Sequence, residues 1–181
     1  MSTKAALSLD ELKSLVGIKA PKETFDFSLL HEGVPKGAIT EVIGNGKTEF
    51  ALALLAEHPE TRVAWIEESL SVYPFGFLQR NVQLGRVLFV ESGTETCWSA
   101  LQVLKAQVFQ IVVLYSESLG LSHLRKIQLA AEKSQAAVLW LTPESRALWP
   151  VSLQVQVSRN VSYTPGDEAE GLTGQVLRRR Y

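Results

Sequence analysis

The sequence has a single cysteine, Cys97. One thiol forms no internal disulfide and no multi-cysteine metal site. The three histidines, His31, His58 and His123, are dispersed and lack the i, i+4 spacing of a metal-binding pair. No stretch approaches the roughly 18 apolar residues of a membrane-spanning helix. Residues 1–7 have neither a long apolar core nor a small-residue cleavage site. These absences read as a soluble, reduced, cytoplasmic chain. Charge of one sign is missing too, because the net charge is −1. That excludes a global basic field for sequence-independent nucleic-acid binding. One local basic run remains, Arg178, Arg179 and Arg180. It reads as a solubilising tail, as a guard against strand pairing at an exposed edge, or as a patch for DNA or a partner.

What is present suits one domain with a sizeable core: 181 residues, 46% apolar and 20% charged. The chain is organised around Ile39 to Thr48. An alternating apolar segment runs into Gly44-Asn45-Gly46, then Lys47-Thr48, then an Ala/Leu-rich helical stretch. Strand, glycine turn and helix in that order are the setting of a phosphate-binding P-loop. The spacing departs from the motif, which places a glycine five positions ahead of the Gly-Lys-Thr glycine. That position is Glu41, and Gly44 leaves only Asn45 before Gly46.

Ahead of this stretch, Ser8 and Glu11 form a capping-box pattern, with Leu9, Leu12, Leu15 and Val16 on one helical face. This short N-terminal helix either covers a sheet edge or docks on a neighbouring subunit. A linker containing Pro21, Gly33, Pro35 and Gly37 leads to a first strand at 38–43. Helix 49–57 and an apolar strand at 63–66 follow. Pro74 opens a short helix, and a third strand spans 87–90. Thr94 is positioned to cap a helix whose wide apolar face carries Trp98, Leu101, Val103, Leu104 and Val108. A fourth strand spans 111–115. Ser122 is positioned to cap helix 123–134, whose core face carries Leu124, Ile127 and Ala131. The fifth strand spans 136–141, and 143–150 is a loop. Residues 153–157 alternate as a half-buried strand does. Residues 161–163 and 174–178 read as an antiparallel hairpin around Pro165-Gly166-Asp167, with a mobile tip at 167–171. The sum is an α/β fold, a mainly parallel sheet flanked by helices. Its ligands are expected off the strand C-termini, at Gly44, Glu67, Glu91, Tyr115 to Ser116 and Thr142.

The order of pieces resembles the RecA-like ATPase core over nearly the whole chain. Gly33-Val34-Pro35-Lys36-Gly37 matches the glycine-bounded lead-in of that superfamily, Ile66 to Pro74 its catalytic-carboxylate segment, and Ile111 to Ser116 its Walker B strand. A closer resemblance is to the ImuA family of damage-induced mutagenesis accessory proteins and the related SulA cell-division inhibitors. It rests on residues 34–38, on Trp98-Ser99-Ala100-Leu101, and on Leu124 to Glu132. The resemblance implies an N-terminal helix and linker at 1–32 and a single RecA-like core at 33–181. It implies RecA and a mutagenic polymerase assembly as protein partners, or FtsZ on the SulA alternative. It leaves room for a homo-oligomer and leaves DNA contact open. A DNA-dependent ATPase with a divergent P-loop is the third alternative.

Three elements weigh against that ATPase. Gly44, Gly46, Lys47 and Thr48 keep the P-loop residue types, but the loop is about three residues short, so fewer amides can converge on a phosphate. Tyr115 stands where the metal-shell aspartate belongs. Ser69 stands at the position of the water-orienting glutamate, with Glu67 and Glu68 beside it. The expectation is no catalysis, no bound metal, no required cofactor and ATP binding disfavoured, with the glycine turn serving as a strand-to-helix junction. Trp65, Trp98 and Trp140 are expected in the core. Trp149, beside Arg146 in the 143–150 loop, either stacks on a base or partner or tucks back on the body. Tyr73, Phe75 and Phe77 are expected mainly to pack.

Overall fold

The computed structural model describes residues 23–146, 148–160 and 171–180. The helix expected at 8–17, the strand piece at 161–163 and the turn at 165–167 lie outside the described residues. Strands β1 (Thr24–Phe27) and β2 (Leu30–Pro35) form an antiparallel pair. A seven-stranded sheet then forms from β3 (Ala38–Ile43), β4 (Val63–Glu67), β5 (Val87–Glu91), β6 (Ile111–Tyr115), β7 (Ala137–Thr142), β8 (Val151–Asn160) and β9 (Gly171–Arg179). Its order is β5-β4-β6-β7-β3-β8-β9, parallel throughout except for the antiparallel β8–β9 pair. The helices are α1 (Lys47–Glu57), α2 (Pro74–Gln79), α3 (Thr96–Ala106) and α4 (Leu121–Ser134). Among the described residues, no helix is long and apolar enough to cross a membrane.

The parallel strands read as continuous apolar runs because both faces are covered. Successive side chains point to opposite faces. Trp65, Val113 and Leu139 join α1, α2 and the β1–β2 pair in one core. Ile66, Leu114 and Trp140 join α3 and α4 in the other. Trp65 and Trp140 are buried, as expected.

Several local expectations are corrected. The linker before β3 contains the β1–β2 hairpin, and the boundary expected between 32 and 33 falls inside β2. Phe25, Phe27, Leu30 and Val34 are buried in the first core, so this segment adds apolar area rather than connecting parts. The C-terminal hairpin has longer arms than expected, because β8 itself is the first arm. Thr94 does not cap α3; a 3-10 turn at Gly93–Glu95 precedes it, and Glu95 is the N-cap. Ser122 does not cap α4, which begins two residues earlier than expected, at Leu121 after Gly120. Trp98 is 61% exposed. The sheet covers only the Ser99, Ala100, Val103 and Leu104 stripe of α3, which is narrower than its apolar face.

Candidate functional site

The C-terminal ends of β3, β4, β6 and β7 open on one edge of the sheet, where α/β sheets take ligands. A cleft of about 310 Å³ lies there, lined by Lys47, Thr48, Glu67, Ser71, Tyr73 and Tyr115 among others. Whether it can hold a nucleotide depends on the turn beneath it.

Gly44 has φ +103°, and a Cβ there would lie 2.2 Å from the Val157 carbonyl oxygen. Only glycine fits so close to β8 with that backbone. The Asn45 side chain accepts a hydrogen bond from Arg159 N at 2.9 Å and donates to Arg159 O at 3.5 Å. An amide side chain thereby continues the β3–β8 ladder past the end of β3. A Cβ on Gly46 would lie 2.8 Å from both Leu172 Cδ1 and Val157 Cγ1. The turn is therefore docked on β8 and β9 instead of arching around open space. Gly46 is the N-cap of α1, and no side chain caps that helix. The capping role open to Thr48 is thus not taken up. Of the four P-loop-type residues, Lys47 and Thr48 reach the cleft, while Gly44 and Gly46 lie against the hairpin. Lys47 Nζ sits 5.5 Å above the Tyr115 ring centroid, a cation–π contact at the end of β6.

The neighbouring acids are engaged in holding the fold. Glu67 is buried. It accepts hydrogen bonds from Trp65 Nε1 at 2.7 Å, Ser71 N at 2.5 Å, Ser71 Oγ at 2.9 Å and Val72 N at 3.3 Å. It staples the loop between β4 and α2 to the sheet. Glu68 Oε1 accepts from Ser116 Oγ, and from Ser118 Oγ at 2.7 Å. The Ser116 and Ser118 hydroxyls hold the Glu68 carboxyl below its ordinary value against the opposing effect of burial. Ser69 is exposed and carries no carboxylate. Among the described residues, no three His, Cys, Asp or Glu side chains gather to hold a metal ion.

Glu41 is the residue that sequence reasoning undervalued. It occupies the first-glycine position of the motif and is fully buried. It accepts from Arg146 N at 2.8 Å, Gln154 Nε2 at 2.7 Å and Thr142 Oγ1 at 3.4 Å. Gln154 Nε2 also donates to Ser145 Oγ at 2.7 Å. The available signal was a lone carboxylate in an apolar strand, facing a Gln in an alternating one.

The basic and aromatic candidates are likewise partnered. Arg146 Nη2 donates to Glu117 O at 2.9 Å. Arg178 Nη2 donates to Leu148 O at 3.2 Å, and Arg180 Nη1 to Trp149 O at 3.4 Å. Arg179 pairs with Glu32 and donates to Gly33 O at 3.4 Å. The three terminal arginines therefore lace the 143–150 loop and β2 to the last strand. Trp149 is 65% exposed, with the Arg125 guanidinium 5.3 Å from its ring centroid. Of the Tyr73, Phe75 and Phe77 cluster, only Phe77 is buried; Tyr73 is 73% and Phe75 53% exposed, against the expected packing. With Leu78 they leave apolar surface on α2, while Leu88 is exposed on the opposite face of β5. Searches against protein-family models and curated proteins found no match for this chain.

Proposed function

We propose that this chain is a non-catalytic RecA-like adaptor of the ImuA type, acting in the DNA-damage response and translesion mutagenesis through protein–protein contacts. The observation that carries this reading is the docked turn. Asn45 clasps the Arg159 backbone, and Gly44 lies against Val157, so successive amides do not encircle a phosphate. Tyr115 under Lys47, together with Ser69 at the water-orienting position, adds to it. The exposed Tyr73, Phe75 and Leu78 supply surface of the kind that protein partners bury. By the resemblance, the partners are RecA and a mutagenic polymerase assembly.

Purified protein is expected to show no Mg²⁺-dependent ATP turnover above background, and Lys47→Ala to leave its cellular role intact. Robust turnover abolished by Lys47→Ala would overturn the non-catalytic reading. An affinity pull-down after DNA damage tests the partners. Recovery of RecA or polymerase subunits supports the ImuA type, whereas FtsZ without either sinks it in favour of a SulA-like inhibitor.

A further inference from the structure

The wide apolar face of α3 outruns the sheet, and the excess borders α4. Between the two helices lies an open groove of about 340 Å³. Leu101 and Leu104 from α3 and Leu129 and Ala130 from α4 give it an apolar lining, and Lys105, Lys126 and Lys133 add charge of one sign. Among the described residues, no acidic side chain lines it and none of these lysines is in an ion pair. Leu129 is 60% exposed. Trp98 stands three residues before Leu101, about one turn along the same side of α3.

We propose that this groove receives an acidic amphipathic helix of a protein partner. It deepens the adaptor reading by naming one surface and the chemistry that fits it. The groove is concave and helix-sided, the geometry that seats a helix by its apolar face. Lys126 and Lys133 lie seven residues apart on α4, about 10 Å by the helical rise. Carboxylates seven residues apart on an aligned helix repeat at the same distance. Leu129 falls midway between the lysines, in register with an apolar anchor flanked by acids. Trp98 extends the contact with the residue type that dominates interface energetics. Residues 1–22 are a poor occupant, because four lysines outnumber two acids there and meet like charge. A phosphate backbone gains nothing from Leu101 and Leu129, and a flat bilayer does not enter a concave groove.

The test uses the full chain and a fluorescein-labelled amphipathic helix of about 20 residues, some 30 Å long. It carries a leucine stripe flanked by glutamates at heptad spacing. Its twin has lysine for every glutamate. Anisotropy is expected to show binding of the acidic helix and not of the twin. Lys126→Glu with Lys133→Glu is expected to weaken binding about tenfold or more, and Leu129→Asp about as much. Phe75→Asp, on α2 at the opposite face of the sheet, leaves it unchanged. Binding also shifts tryptophan emission, and Trp98→Phe removes that shift. All substituted side chains are exposed, and circular dichroism checks that each variant folds. Absent binding, equal binding of the twins, or indifference to the lysine and Leu129 changes overturns the proposal. So does binding of oligo-dT or phosphatidylserine vesicles with none of the acidic helix. The two readings fail separately. ATP turnover lost in Lys47→Ala removes the non-catalytic reading and leaves the groove; failure of the acidic helix removes the groove and leaves the docked turn.

Discussion

Glu41 within β3 and Glu67 and Glu68 at the end of β4 are three carboxylates, each occupied by hydrogen bonds from its own chain. Glu41 accepts only from neutral donors, Arg146 N, Gln154 and Thr142. A buried carboxylate is tolerated when its lone pairs are filled in this way. Glu68 makes a pH-dependent contribution. Ser116 and Ser118 hold its folded pKa below the ordinary 4.5. A carboxylate depressed on folding stabilises the fold above its unfolded pKa, and that contribution fades as pH falls through the folded pKa. The stability gap between the parent chain and Glu68→Gln is therefore expected to be constant above pH 4.5 and to shrink below it. Urea midpoints across a pH series read this directly. A gap that stays constant to the lowest pH would show that the serine contacts act without regard to charge.

At the element scale, the β3–α1 junction is held by its contacts with the β8–β9 hairpin. Gly44 and Gly46 look equivalent in the sequence and differ in the fold. At Gly44 a side chain meets the Val157 carbonyl and a positive φ together. Gly44→Ala is expected to cost at least about 2 kcal/mol. At Gly46 the φ is −97° and the neighbours are methyl ends of Leu172 and Val157. Leu172 can shift while the buried, β-branched Val157 gives little, so Gly46→Ala should cost about 1 kcal/mol and less than Gly44→Ala. Thermal denaturation of the two variants gives the comparison. Equal costs would mean that the turn is not docked as described. The same hairpin sets the form of the turn before Lys47. β8 and β9 fill the ground that a longer loop would have spanned.

For the whole molecule, the C-terminal strand acts as a strap. Arg178 and Arg180 reach the 143–150 loop, and Arg179 reaches Glu32 and Gly33 on β2. Sequence-distant parts are tied to one edge of the sheet. Replacing all three arginines with glutamine is expected to lower Tm by several degrees, since about 1 kcal/mol corresponds to roughly 2–4 °C for a chain of this size. Oligonucleotide affinity should not change. An unchanged Tm with a loss of DNA affinity would return the three arginines to the role of a nucleic-acid patch.

The sequence by itself determined the alternation of strands and helices, the parallel core and the two buried tryptophans, Trp65 and Trp140. Those features follow from local periodicity and from apolar runs that need cover on both faces. It also showed that the loop before Lys47 is short, because spacing is a one-dimensional property. Only the tertiary structure decided what that shortness means. Asn45 meets Arg159 across 114 residues of chain, and Glu41 meets Gln154 across 113. No periodicity encodes such pairings. The hairpin at residues 24–35 was hidden by Gly33 and Pro35, which with the flanking Pro21 and Gly37 read equally well as a linker. Trp98 was misplaced because helical spacing defines an apolar face without saying how much of it the sheet will cover. Of the uncovered remainder, Leu101 lines the α3–α4 groove and Trp98 stands about one turn before it.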